Sequence, residues 1–420
     1  MRDSERNRNP IAEAVNEDRL WQRLMEMARI GGTSRGGVTR ETLTPEDAQA
    51  RALLIHWAEE RGFGASSDAF GNLLIHRPGS DPSASPVVTG SHLDSQPSGG
   101  KFDGALGVLA GFEVLEALED ENIVTRRPLA VASWTNEEGS RFQPPMMGSA
   151  VFTGALSFDA ALQFVDRNGV SVAQALDETL KATGGTVQHE FRLPMSTYVE
   201  VHIEQGPILE RTGSTIGIVT GIQGQRWFTV EVHGEAAHAG TTPRQSRKDA
   251  LSAAVRMVTA LEEMTRDETD TVRFTVGRFD VSPNSPNIVP SRVLFTIDIR
   301  HPENGVLSNL ADQVKPICMA NAGSCGVTIT ETLNTPTTLF DGSVMNAIRE
   351  AASRLNLPHM DMISGAGHDA KSLADFCPTG MIFVPCERGI SHSEAEKASP
   401  ADLAAGTRVL AEVLVELAGR

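Results

Sequence analysis

Cysteine is scarce in this chain. Its four residues, Cys318, Cys325, Cys377 and Cys386, form no C-x-x-C pair, which argues against a disulfide framework and leaves reduced structural thiols as the expectation. Positive charge is the second shortage: 37 Lys and Arg stand against 54 Asp and Glu, a net charge of -17. Such a balance favours solubility and argues against a broad nucleic-acid or anionic-membrane surface, while leaving room for a local basic pocket. Long apolar runs are also missing. No stretch approaches the roughly 18 apolar residues of a membrane span, and the N-terminus, MRDSERNRNP, lacks the apolar segment of a secretory signal. A cytoplasmic protein is expected. There is neither a fixed-period repeat nor a low-complexity segment.

What remains is an ordinary globular composition, 40% hydrophobic and 22% charged over 420 residues, enough for two domains or one large one. Helical and strand-like patterns alternate, which predicts an α/β architecture. Thr44-Pro45-Glu46-Asp47 starts a helix that stops at Gly62, and Ser399-Pro400-Ala401-Asp402 opens a last helix closing at Gly419. Short buried strands are predicted at 86–90, 129–134 and 198–203. The middle is different. Segments 226–233, 271–279 and 291–300 alternate, helices are expected at 246–264 and 306–320, and a strand near Val327. That order fits a β-α-β-β-α-β sandwich of the ferredoxin-like kind. Glycines at 213, 217, 221 and 224 and the Thr335-Pro336 turn bracket it as an insertion. The expected boundaries are 1–221, 222–335 and 336–420.

The stretch TGSHLDSQPSGGKFDGALG, from Thr89 to Gly107, carries the most chemistry. His92 follows a predicted strand at its carboxyl end, where open α/β sheets place their sites. Asp94 can orient that imidazole through the nitrogen facing away from a metal. Gly99 and Gly100 let the loop turn back, and Asp103 begins a helix with Leu106, Leu109, Phe112 and Leu115 on its apolar face. Taken alone, H-x-D reads as a solvated hydrogen-bonded pair. Glu137 and Glu138 follow another apolar strand, and would repel each other if buried without a counter-charge. They form either a solvated acidic turn or a metal ligand beside a general base. His202, in Glu200-Val201-His202-Ile203-Glu204-Gln205-Gly206-Pro207, reads alone as a core histidine, and His392, in Ser391-His392-Ser393-Glu394, proves little alone. Together these histidines and carboxylates, all at or beyond the ends of apolar strands, make a ligand set for a pair of divalent ions, with Asp103 able to bridge both. Such ions acidify water and polarise a carbonyl, and a neighbouring glutamate moves the proton. The set predicts metal-assisted amide hydrolysis.

The segments GSHLDSQPSGGKFDG, WTNEEGSRF, VHIEQGP, HGEAAHAGTTP, SGAGHDA and SHSE resemble, in this order, the amidase, hydantoinase and carbamoylase branch of the zinc peptidase and deacylase superfamily. That branch includes N-carbamoyl-L-amino-acid hydrolases, one lineage of β-ureidopropionases and allantoate amidohydrolases. The resemblance spans from about Leu20 to the C-terminus. It implies a mixed-sheet, metallo-aminopeptidase-like catalytic α/β domain with an inserted ferredoxin-like α+β lid and dimerisation domain. It implies that His92, Asp103 and His202 hold one ion, that Asp103, Glu138 and His392 hold the second, and that Glu137 is the general base. Zinc, manganese, cobalt and nickel all suit these donors. Gln205, His238, Asn287, Arg300 and Gly367 fall on positions that contact substrate in the family. Arg300 offers a fork for a carboxylate, and without the family it would equally be a structural ion pair. His238 can donate to the oxygen that becomes negative, and Asn287 can fix the carboxylate or the urea oxygen. The resemblance further implies a homodimer, and closure of the inserted domain over the ions.

Gln96-Pro97, Lys101 and the run Pro144-Pro145-Met146-Met147-Gly148 look more like carbamoylase and β-ureidopropionase sequences than allantoate ones. The expected reaction is hydrolysis of the carbamoyl amide of an N-carbamoyl amino acid to amino acid, ammonia and carbon dioxide. Allantoate hydrolysis is the alternative, with an aminoacylase or dipeptidase behind it. A non-catalytic binding relative is disfavoured, because all five ligand positions and Glu137 are present. No feature supports a nucleic-acid or membrane partner.

Overall fold

The segments Val87–His92, Leu129–Trp134, Thr197–Ile203 and Thr379–Val384 are buried at every position, as strands covered on both faces must be. In the computed structural model, which describes residues 11–183 and 187–419, they lie side by side and parallel at the centre of a mixed ten-stranded sheet. The polar N-terminal segment, on which the expectation about a secretory signal rests, lies outside the described residues. Leu73–Arg77 pairs antiparallel with Leu129–Trp134 on one flank, and Ile216–Ile222 pairs antiparallel with Thr379–Val384 on the other. The strands expected at 86–90 and 198–203 are thus each a residue or two longer or shifted.

Helix Ala105–Asp120 is buried along nearly its whole length and packs on the sheet beside Pro400–Ala418. Its glycines permit the close approach. A Cβ on Gly107 would lie 2.6 Å from the carbonyl oxygen of Val201, and one on Gly111 would lie 2.7 Å from Thr89 Cγ2. The outward side of the same helix buries Glu113 and Glu116, which pair with Arg19 and Arg23 at 2.6 and 2.7 Å. The expected helix ends are found: Thr44 caps Pro45–Glu60 by accepting from Asp47 N–H, and Ser399 caps Pro400–Ala418 by accepting from Asp402 N–H. All four cysteines are free thiols, with Cys386 buried.

The chain divides into two compact units, Met1–Thr220 with Leu339–Arg420, and Gly221–Thr338. In the second unit the strands run in the order Arg273–Thr275, Arg292–His301, Gly224–His233, Gly326–Thr335, with helices Ala250–Met264 and Asn304–Asn321 in the same core. This is the β-α-β-β-α-β arrangement. Two expectations need correction. The helix placed at 246–264 starts at Ala250, because Asp249 caps it by accepting from Ser252 N–H, and Arg244–Ser246 forms a separate 3-10 turn. The strand placed at 271–279 is two pieces, Arg273–Thr275 and Phe279–Ser282, both paired with Arg292–His301. Thr275 lies opposite Asp298 and Phe279 opposite Phe295, so four steps face three. One residue is bulged out, which breaks the alternation.

The glycine contacts give a stability test. Gly111→Val should lower the urea-unfolding midpoint by the equivalent of about 1–3 kcal/mol, through overpacking against Thr89 and Val131. Gly342→Ala, where an added Cβ meets nothing within 4 Å, should leave it within about 0.5 kcal/mol.

Candidate metal centre

Neighbouring parallel strands release their carboxyl ends on one edge of the sheet, so loops distant in sequence meet there. His92 is the last residue of its strand, Glu137 and Glu138 lie just past Trp134, His202 sits one residue before its strand ends, and His392 lies in the loop after Val384. Asp103 precedes helix Ala105–Asp120 and is buried.

The two oxygens of Asp103 face different partners. Oδ1 lies 3.2 Å from His202 Nε2 and 3.8 Å from His92 Nε2. Oδ2 lies 3.3 Å from His392 Nε2, which is itself 3.4 Å from Glu138 Oε2. In each set, His92-Asp103-His202 and Asp103-Glu138-His392, one donor atom per residue falls within 4.8 Å of the others. Glu137 Oε2 lies 3.5 Å from His92 Nε2, and its side chain is buried. The sequence-predicted ligands and the predicted base are therefore brought together.

The imidazoles are aimed by main-chain carbonyls. His92 Nδ1 donates to Asp94 O and His202 Nδ1 to Ile203 O, both at 2.9 Å, which turns each Nε2 inward. Orientation of His92 by the Asp94 carboxylate was the expectation, and it needs correcting. That carboxylate is 3.7 Å from Nδ1 and instead accepts from the main-chain N–H of Glu137 and Glu138, at 3.3 and 3.2 Å. It fixes where the two glutamates start. Glu138 is held in turn by Gln96, whose main-chain N–H and side-chain amide donate to Oε1 and Oε2 at 3.0 and 2.9 Å. Gly104, at φ 64°, links Asp103 to its helix; a Cβ there would fall 2.3 Å from the His92 ring.

A third donor group, Glu200-His202-His368, is also compact, but it is a hydrogen-bonded layer. Glu200 accepts from Ser91 Oγ at 2.7 Å, Ala370 N–H at 3.0 Å and Tyr198 Oη at 3.2 Å. The remaining nitrogen of His202 already faces Asp103. The chain's single tyrosine serves this layer, and Trp134 Nε1 donates to its hydroxyl at 3.0 Å.

Charge balance shows whether a cation fits. Burial first, then repulsion from Asp103, pushes the Glu138 carboxyl up to about 8. Burial and the neighbouring Asp47 push Asp94 up to about 7. Burial, Asp369 and Glu138 hold Glu137 well above the usual carboxylate range. Burial works against ionisation of Asp103 too, yet hydrogen bonds from His202 and His392 keep it well below that range. Asp103 in return raises His392 to about 9, and raises His202 to about 9 against the effect of burial. With protein groups alone, protons must neutralise this cluster. Divalent ions would do so with three imidazoles and two carboxylates already converging, a donor set suited to borderline metals.

The remaining predicted residues separate by unit. Gln205, at φ 55°, donates to Asp103 Oδ2 at 2.9 Å and so stands among the candidate ligands. Gly367 is half-buried, where a Cβ would come 3.1 Å from Met146 Cε. In unit Gly221–Thr338, His238 and Asn287 are exposed on adjacent short strands or turns, with Ala239 N–H donating to Asn287 O at 3.0 Å. Arg300 pairs through Nε and Nη2 with Asp298, at 3.1 and 2.8 Å. Residues the sequence reading missed include Gln96 as a holder of Glu138, Glu200 and His368 beneath His202, and Glu396. The only available signal for Glu396 was its place four residues after His392, inside a run that reads as solvated acid.

The description Peptidase family M20/M25/M40 matches residues 88–416. A Rhizobium meliloti protein named N-carbamoyl-L-amino-acid amidohydrolase is 41% identical over 409 residues, 96% of this chain and 97% of its own length. A Bacillus subtilis allantoate amidohydrolase is 36% identical over 396 residues, covering 93% and 95%. The crystal structure of an amidase of the hydantoinase/carbamoylase family from Burkholderia multivorans matches with a TM-score of 0.90 at 43% identity, covering 97% of this chain and 98% of that one. With strand order, the converging donor groups and near full-length similarity in agreement, the chain belongs to peptidase family M20/M25/M40 and is a hydrolase of its hydantoinase/carbamoylase amidase branch.

Proposed function

We propose that this chain hydrolyses the carbamoyl amide of N-carbamoyl amino acids with two divalent ions, one held by His92, Asp103 and His202 and the other by Asp103, Glu138 and His392. The observation that carries the reading is the Asp103 carboxylate, whose oxygens face one donor set each. Zinc fits these donors, as do manganese, cobalt and nickel. When bound, such ions polarise the scissile carbonyl and make water a better nucleophile. The identity to the R. meliloti N-carbamoyl-L-amino-acid amidohydrolase supports the substrate class.

The protein's own groups do the rest. Glu137 is buried, its main chain is fixed by Asp94, and it stands 3.5 Å from His92. It takes a proton from the attacking water and returns it to the departing amine. His238 donates to the oxygen that becomes negative. Arg300, its plane set by Asp298, binds the substrate carboxylate, and Gln205, Asn287 and Gly367 complete recognition. The same reading includes a homodimer acting in the cytoplasm. Allantoate hydrolysis is the second reading, supported by the 36% identity to the B. subtilis enzyme of that name.

A panel of N-carbamoyl-L-α-amino acids, N-carbamoyl-β-alanine, allantoate, N-acyl amino acids and dipeptides, assayed for ammonia and amine release, separates these readings. Turnover of a carbamoyl acid at least tenfold above allantoate is expected; turnover of allantoate alone would select the second reading. Glu137→Gln should keep both ions by elemental analysis while kcat falls about 10²- to 10⁴-fold. Arg300→Lys should raise KM for the carboxylated substrate about tenfold or more with a smaller change in kcat, since an ammonium cannot present a two-pronged donor.

A further inference from the structure

We propose that Glu396 is a positioning residue that holds the Asp103 loop and the His392 loop together, and so sets the geometry of the ion site they share. The inference rests on the reading above, in which Asp103 and His392 are ligands of the second ion.

Glu396 lies in the acidic run Ser-His-Ser-Glu-Ala-Glu, yet it is only 1% exposed. Among the described residues no Lys or Arg pairs with it; its partners are main-chain N–H groups and one hydroxyl. Oε1 accepts from the N–H of Phe102 at 2.8 Å and of Asp103 at 3.2 Å. Oε2 lies 3.0 Å from Ser391 Oγ, and that same hydroxyl is 2.9 Å from Asp103 Oδ2. One carboxylate therefore grips the main chain of one proposed ligand and, through the residue before it, the loop of another. Burying a carboxyl is costly unless its oxygens find hydrogen-bond donors, and the donors Glu396 finds belong to the two loops in question.

The backbone opposite is shaped for this reach. A Cβ on Gly100 would fall 1.9 to 2.0 Å from the carboxyl atoms of Glu396. The sequence suggests that Gly100 serves a tight turn; the structure shows that its missing side chain is the space the carboxylate fills. Strand pairing cannot do the same work. His392 lies eight residues past Val384, has φ 52°, and its side chain is 51% exposed. The loop needs anchors of its own. Glu394 supplies another, accepting from Thr33 Oγ1 at 2.6 Å and pairing with Arg35 at 3.2 Å, but it touches neither Asp103 nor the segment that carries it. Ser391 and His392 reach the Asp103 side chain, whereas Glu396 holds the main chain of the segment that carries it.

The test is metal binding to the full-length protein. Chelator-treated enzyme is titrated with Mn2+ or Zn2+ against a competing chelating dye, for wild type, Glu396→Ala, Glu396→Gln, Gly100→Ala, Ser391→Ala and His392→Ala. Wild type should take two equivalents and His392→Ala should lose one. Glu396→Ala should keep the first and bind the second about 10- to 100-fold more weakly, the usual cost of losing an outer partner of a metal ligand. Glu396→Gln should recover most of that loss, because its amide oxygen can still accept both N–H groups. Gly100→Ala, which substitutes neither Glu396 nor any proposed ligand but fills the space of the carboxyl, should reproduce the Glu396→Ala defect. Two tight equivalents in both Glu396→Ala and Gly100→Ala, with one lost in His392→Ala, would overturn the positioning role and leave the ligand set standing. So would a Gln variant no better than Ala. If His392→Ala kept both equivalents, the ligand set itself would fall, and the positioning role with it. Should Glu396→Ala not fold, Gly100→Ala and Ser391→Ala decide the matter by the same criterion.

Discussion

The Asp103 carboxylate is buried, and its two oxygens lie against two different groups of donors. Placing one carboxylate there requires His92, His202, His392 and Glu138 to arrive from four directions; the sheet supplies those of His92, His202 and Glu138, and the loop after Val384 brings His392. Four neighbouring parallel strands end on one edge, about 4.8 Å apart in the pairing direction. Side chains at or just past those ends are thus within a few ångströms of each other without any long-range adjustment. The helix after Asp103 lies close on the strands because Gly107 and Gly111 present no side chain to them.

The electrostatic arrangement follows from that placement. Asp94, Glu137, Glu138, Glu200, Asp369 and Glu396 are all carboxylates near this edge, and burial raises the proton affinity of each. Main-chain N–H groups, hydroxyls and the Gln96 amide satisfy several of them with hydrogen bonds, but these are dipoles and not full charges. Asp103 is the exception, kept ionised by two imidazoles. A site built this way gathers more buried acid than its own cationic groups balance and is well matched to divalent cations, as clusters of perturbed titratable groups at functional centres are.

Much of this was legible in the sequence. His92, Glu137, Glu138 and His202 are legible only as a set: each alone has a bland reading as a solvated or core residue, and together, at the ends of apolar runs, they make a ligand set. The strands themselves showed as short apolar runs, and the helix ends as Thr44-Pro45 and Ser399-Pro400. What escaped were relations between segments far apart in the chain. The Glu396 contact with Phe102 and Asp103 spans nearly the whole catalytic sequence, and nothing local distinguishes it from solvated acid. The Asp94 side chain was assigned to the wrong partner because spacing cannot tell a carbonyl from a carboxylate two residues on. The bulge between Thr275 and Phe279 is legible only as a change of phase, from Val272, Phe274 and Val276 to Phe279 and Val281, and the pairing shows its cause.

The central point is that one carboxylate serves two ions. Elemental analysis of tightly bound metal in Asp103→Ala beside Glu138→Ala addresses it most directly. Loss of both equivalents in the Asp103 variant, against loss of one in the Glu138 variant, is the predicted result. Retention of one full, tightly held equivalent in Asp103→Ala would contradict a shared ligand.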